Sequence, residues 1–158
     1  MPIHGLFDYL DINRNDLTRI RETFLLLVNN TDDKFKLYSE LYYRSLQGNG
    51  TNLDLRFLLL TICLECLFLP EADTELSFRL SIRAALLLSK YGYRDTKTIY
   101  DTVKQIYKIR SELVHRGKTN KLDRKLFWEL TEIVRISLSL YLKDRNLFSE
   151  KSLTEIIF

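Results

Sequence analysis

LRFLLLTICLECLFLP, residues 55–70, contains the most apolar window of the chain, and its reading decides the fold class. The window from Phe57 to Pro70 falls short of the roughly 20 apolar residues that a membrane-spanning helix needs. It also carries Glu65 near its middle, where a bilayer would exact a heavy desolvation cost. The stretch therefore predicts a buried helix. Asp54 can cap its start, and Pro70, which lacks a backbone N–H, halts it at Leu69. Apolar residues surround the axis instead of forming one stripe, so the helix is expected at the centre of the fold.

Working outward, the rest of the sequence agrees with a helical environment. Only 5 glycines and 2 prolines occur in 158 residues, while leucine and the long charged helix formers abound. That balance predicts an all-α helical bundle. No repeat, low-complexity run or linker divides the chain, and its length suits one core, so a single domain over 1–158 is expected. Its parts read as an N-terminal helical extension over 1–50, a core over 51–145 and a tail over 146–158. In the extension, DLTRIRETFLLLV (16–28) and KFKLYSELYYRSLQ (34–47) predict an amphipathic pair that ends at GNGTN. After the central helix, LSFRLSIRAALLLSK (76–90) predicts a further helix. Another begins near Thr96 and stops at Gly117, and RKLFWELTEIVRISLSLYLKD (124–144) gives a long last one. The tail SEKSLTEIIF predicts a short helix whose apolar end needs a partner surface.

The 46% hydrophobic, 28% charged chain carries a net charge of +3, with a sequence pI of about 8.8. This mild excess permits an anionic partner without marking a dedicated nucleic-acid binder. MPIHGLFDYLDINRND shows no basic region followed by an apolar run, so a cytoplasmic location without membrane contact is expected. The Asn-x-Thr sequons at Asn29 and Asn49 would then never meet the glycosylation machinery.

Three features carry possible chemistry. Cys63 and Cys66 form a CxxC, a spacing used in zinc and redox sites. Zinc needs two more ligands, yet the chain has no other cysteine and only His4 and His115, so no metal or other cofactor is expected. Placed inside an apolar helix, the thiols read as buried structural groups. Glu65 needs a cation if buried, and Arg79 and Arg83, four apart on the following helix, can supply one; the alternative is direct contact with a substrate. The pairs Tyr42, Tyr43 and Tyr91, Tyr93 could stack on bases, although aromatics at helical spacing usually fill cores.

The stretch YKIRSELVHRG, residues 107–117, adds a sharper possibility. Residues five apart on a regular helix differ by about 140°, so Arg110 and His115 cannot point the same way unless the helix relaxes. Gly117 predicts that it ends at about His115, which would free the imidazole to turn back. The negative end of the helix dipole favours a positive charge there. Together the two side chains form a sensible minimal set for RNA cleavage without metal. The ribose 2′-OH attacks the adjacent phosphate, histidine moves a proton, and arginine offsets the charge developing on phosphorus. Spacing alone is weak evidence, since Arg-x4-His recurs by chance in helical proteins, and by itself it favours a surface or capping histidine over a catalytic one. Lys104, Lys108, Arg116 and Lys118 flank the motif as possible phosphate contacts or simply solvated charges.

From about Leu55 to Lys118 the chain resembles the HEPN superfamily (higher eukaryotes and prokaryotes nucleotide-binding), most closely its Apea-like branch. RFLLLTICLECLFLP with its glutamate, LSFRLSIRAALLL with its two arginines and IYKIRSELVHRGK with its Arg-x4-His occur in that order over about 60 residues. The resemblance implies four core helices with an added N-terminal pair, and a homodimer that brings two Arg-x4-His motifs into one cleft. It further implies a metal-independent endoribonuclease of a toxin–antitoxin, abortive-infection or other antiviral system, with Arg110 on the scissile phosphate and His115 as general acid or base. Glu65, Arg79 and Arg83 would support the cleft. Active members often carry Asn, Asp or His after the arginine, where this chain has Ser111. The implied partners are RNA, possibly tRNA, and an antitoxin or larger defence component; the alternative is a non-catalytic module that binds RNA, nucleotide or protein. Apea-like domains commonly close longer proteins, so the chain reads as a compact stand-alone member or a piece of a larger one.

Overall fold

In the computed structural model, which describes residues 32–47 and 52–157, every regular element is helical. In chain order these are α1 (Asp33–Leu46), α2 (Leu53–Phe68), α3 (Leu76–Lys90), α4 (Thr96–Arg116), α5 (Arg124–Lys143), one 3₁₀ turn (Arg145–Phe148) and α6 (Glu150–Glu155). The all-α bundle expected from composition is the observed architecture among the described residues. The helix expected over 16–28, both sequons and His4 lie outside them. No described helix is long and apolar enough to cross a membrane.

The helix starts follow from short polar side chains that accept the orphan N–H groups of the first turn. Asp32, Asp95 and Asp123 cap α1, α4 and α5 through Lys34, Thr98 and Leu126. At α2 the expected cap shifts. Asn52, not Asp54, accepts the hydrogen bond, from the Asp54 N–H at 3.0 Å. Asp54 thus stands in the first turn, where its charge suits the positive end of the helix dipole.

The helix α2 packs against α1, α3, α4 and α5, as its apolar circumference predicts. Phe57, Leu60, Cys63, Leu64, Leu67 and Phe68 are all buried on it. Its surface is not closed, however: Leu55 and Ile62 remain exposed along one edge. The helix α1, read from sequence as part of an extension, is built into the same core through Phe35 and Tyr38. Tyr38 donates its hydroxyl to the Cys66 carbonyl at 3.2 Å, and the Cys63 thiol donates to the Tyr38 carbonyl at 3.5 Å. Burial pushes the Cys63 thiol up to about 12. Cys66 is only half-buried, with its thiol also raised, first by burial and then by neighbouring Glu65. Both groups therefore sit far from reactive thiolates, as structural thiols do.

The tail corrects an expectation about Arg79 and Arg83. Neither pairs with Glu65. Arg83 is only 1% exposed and donates to the Phe68 carbonyl at 3.0 Å and to Glu150 Oε2 at 3.0 Å. Its second amino group reaches Glu150 Oε1 and, at 3.4 Å, the Thr154 hydroxyl. Arg79 approaches the same carboxylate at 3.9 Å. This face of α3 looks toward α6, so its cations bind the tail and not the centre of α2. Phe148 and Leu153 complete the attachment. Phe148 sets its ring 5.3 Å from Phe68, and Leu153 is fully buried. At the apolar end of the tail Ile156 packs partly buried against the core, while Phe158 lies outside the described residues.

The glycine at 117 ends α4 in the left-handed region, with φ 70° and its N–H on the Leu113 carbonyl at 2.9 Å. A Cβ there would meet nothing within 4 Å, so substitution costs only backbone strain. Gly117→Ala is expected to lower unfolding free energy by about 1 kcal/mol, read from the urea midpoint at an unchanged slope.

Candidate functional site

The sequence motif occupies the last two turns of α4, and the helix there is unbroken. It runs to Arg116 and stops at Gly117 as expected, but His115 is still held in helical geometry and does not turn back toward Arg110. That corrects the expectation that the helix end would bring the two together within one chain. Five residues separate them, about 140° around the axis and 7.5 Å along it. The buried face of α4 is set by Ile99, Val103, Ile106, Ile109 and Leu113. His115 lies almost diametrically opposite that face and is exposed, together with Lys104 and Lys108 on the same line. Arg110 stands instead at the border of the core.

The guanidinium of Arg110 is held by Glu65. Its Nη2 donates to Glu65 Oε2 at 3.1 Å, and Nε lies 2.9 Å from Oε1. The second approach is close in distance but poorly aimed, which leaves Oε1 buried and without a hydrogen bond. Burial raises the Glu65 carboxyl above its usual range, while the charge and hydrogen bond of Arg110 pull the other way. The pair is thus an ion pair with acceptor capacity to spare, and it fixes the arginine with respect to α2. Tyr107, one turn earlier, sets its ring centroid 5.8 Å from the guanidinium carbon.

Apolar groups flank this pair on the outside. Val114 follows Arg110 by four residues and is 53% exposed; Ile62 precedes Glu65 by three and is 39% exposed. Residues at such spacings share a helix face, so a charged pair lies inside an apolar rim. Ser111 is half-buried between the line of Arg110 and that of His115.

Beyond Gly117 the chain folds back on α4. Glu112 accepts from the Thr119 hydroxyl at 3.2 Å and pairs with Lys121. Those contacts hold the Glu112 carboxyl below its usual range, the Lys121 hydrogen bond most of all. They also shape a small hollow lined by Glu112, Arg116, Lys118, Thr119, Asn120 and Lys121. Arg116 and Lys118 are therefore grouped beside the motif, whereas Lys104 and Lys108 lie along the outer face of α4. Arg79 and Arg83 belong to the tail contact and are not neighbours of Glu65. Tyr42 and Tyr93 pack partly buried against the core, while Tyr43 and Tyr91 are exposed.

Two features escaped the sequence reading. The bond between Glu65 and Arg110 spans 45 positions and has no local spacing to announce it. The fold-back by Glu112 likewise depends on a loop whose path the motif does not encode. Among the described residues no group of three or more His, Cys, Asp or Glu side chains is placed to hold a metal ion. No family model, no curated protein and no solved structure matches this chain.

Proposed function

We propose that two copies of the chain assemble a metal-independent endoribonuclease centre in which Arg110 of one copy works with His115 of the other. The observation that carries this reading is the divergence of the two side chains on one unbroken helix. Arg110 is fixed at the edge of the core inside an apolar rim that can meet another copy, and His115 is free in solvent on another face. The resemblance to HEPN proteins points the same way.

In the proposed reaction the 2′-OH of ribose loses its proton to an imidazole as the O2′–P bond forms. The P–O5′ bond then breaks, a protonated imidazole gives the leaving oxygen its proton, and the products are a 2′,3′-cyclic phosphate and a 5′-OH. Arg110 offsets the charge that builds on the phosphoryl oxygens. Glu65 orients it, and Lys104, Lys108, Arg116 and Lys118 guide the strand electrostatically. Such an enzyme suits the cytoplasmic effector of a bacterial defence or toxin–antitoxin system, with an antitoxin or larger component as restraint.

The alternative, a module that binds RNA, nucleotide or protein without cleaving, is favoured by two particulars. Glu65 already occupies Arg110, and Ser111 stands where active HEPN motifs often carry Asn, Asp or His. Incubation of the purified protein with total tRNA in excess EDTA separates the readings. Cleavage is expected to persist and to leave cyclic phosphate ends; intact tRNA at stoichiometric protein would favour the module.

A further inference from the structure

A second site lies away from the motif. Leu53, Arg56, Arg124, Phe127 and Trp128 line a recess of about 350 Å³ between the starts of α2 and α5. Arg56 precedes Glu65 by nine residues, which places it about 13 Å along α2 and on the opposite side of that helix. The recess therefore does not share walls with the Arg110 and Glu65 pair, and it stands or falls independently of RNA cleavage.

Its construction is specific. Phe127 is buried and forms the floor. Arg56 donates Nε to the Ser45 carbonyl at 2.6 Å and sets its guanidinium carbon 4.7 Å from the Phe127 ring centroid. Those two contacts fix the arginine yet leave both of its terminal amino groups available. Trp128 stands beside Phe127 at 5.5 Å between centroids, nearly edge to face, and is 57% exposed. Arg124 precedes Trp128 by four residues and so shares its face of α5. No carboxylate lines the recess. Asp123, the N-cap of α5 and the chain neighbour of Arg124, accepts a hydrogen bond from the Leu126 N–H. Among the described residues neither Arg56 nor Arg124 forms an ion pair.

An exposed indole offers a flat apolar face, and two guanidinium groups without counter-charges offer paired donors for phosphate oxygens. The recess is at the small end of ligand pockets, the size of one nucleotide unit and not of a larger cofactor. We propose that it binds a nucleotide, with the base stacked on Trp128 and the phosphate between Arg56 and Arg124. A hydrophobic peptide would leave both cations unmatched, and phosphate alone would leave the indole bare. The nucleotide can come from a single RNA strand or from a free mononucleotide, which share this chemistry.

Trp128 is the one tryptophan in the chain, so its fluorescence reports on the site directly. Titration of the whole protein with AMP, with a six-residue oligoadenylate and with inorganic phosphate is expected to give saturable quenching by one or both adenine ligands and none by phosphate. Saturation by AMP identifies a free-nucleotide site, and saturation by the oligomer alone identifies a strand contact. Arg124 is exposed, so Arg124→Ala leaves the fold intact, and it should weaken binding about tenfold. Lys151→Ala, on the distant α6, should leave binding unchanged. Absence of quenching by either adenine ligand at millimolar concentration would overturn the site. So would equal weakening by the two variants. A blue shift of Trp128 emission that grows with protein concentration and ignores nucleotide would also overturn it, by making this face an interface between copies.

Discussion

Replacing Glu150 with alanine is expected to lower the unfolding free energy by about 3 kcal/mol. The effect comes from the cation left behind. Arg83 is almost wholly buried, and without Glu150 it keeps only the Phe68 carbonyl and the Thr154 hydroxyl as acceptors. Breaking a buried pair from one side costs about 3 to 5 kcal/mol, and the low end applies because a quarter of the Glu150 side chain remains exposed to water. Arg83→Met removes the charge itself while keeping comparable volume, and it should cost less than half as much. Urea unfolding read at constant slope checks both values. The same pair gives a pH signature. Arg83 holds the Glu150 carboxyl below its usual value of 4.5, chiefly through their hydrogen bond. A carboxyl depressed in the folded state stabilises at pH above its unfolded value, and that stabilisation is lost as pH falls through the folded one. The difference between wild type and Glu150→Ala should therefore narrow from about pH 5 downward. A gap that stays constant into acid would show that the carboxylate charge is not what holds the tail.

Much of the bundle was legible because its signals are local. The stretch 76–90 is bounded by a turn on each side, and its apolar residues recur at helical spacing, so the expected and observed α3 coincide. Gly117 was legible for the same reason, since a left-handed stop has few alternatives. The partners of the charges were not legible. Glu65 clearly needed a cation, but Arg79, Arg83 and Arg110 were all available, and only packing decides among them. The choice depended on the tail, where Glu150 takes two of the three arginines. The relative placement of the motif's two side chains was not legible either: α4 stays helical up to the Gly117 stop, so Arg110 and His115 remain on different faces.

That divergence yields the second large effect. His115→Ala is expected to lower RNA cleavage by about 100-fold to 10,000-fold, the usual contribution of a positioned proton-transfer group. The side chain is exposed, so folding should change by less than about 0.5 kcal/mol, and lost activity cannot be ascribed to lost structure. Arg110→Ala should also abolish cleavage, but it leaves Glu65 buried without its cation and so costs stability as well. Neither variant alone distinguishes a centre made within one chain from one made between two.

Mixing them does. If Arg110 of one copy works with His115 of another, a mixed dimer of Arg110→Ala and His115→Ala contains one intact pair and one doubly broken pair. Random exchange makes about half of the dimers mixed, so roughly a quarter of the wild-type rate should return when the two inactive proteins are co-refolded at equal concentration. Recovery of that size, measured on tRNA in EDTA, is the result expected of a centre shared between copies; two variants that stay inactive together would contradict it.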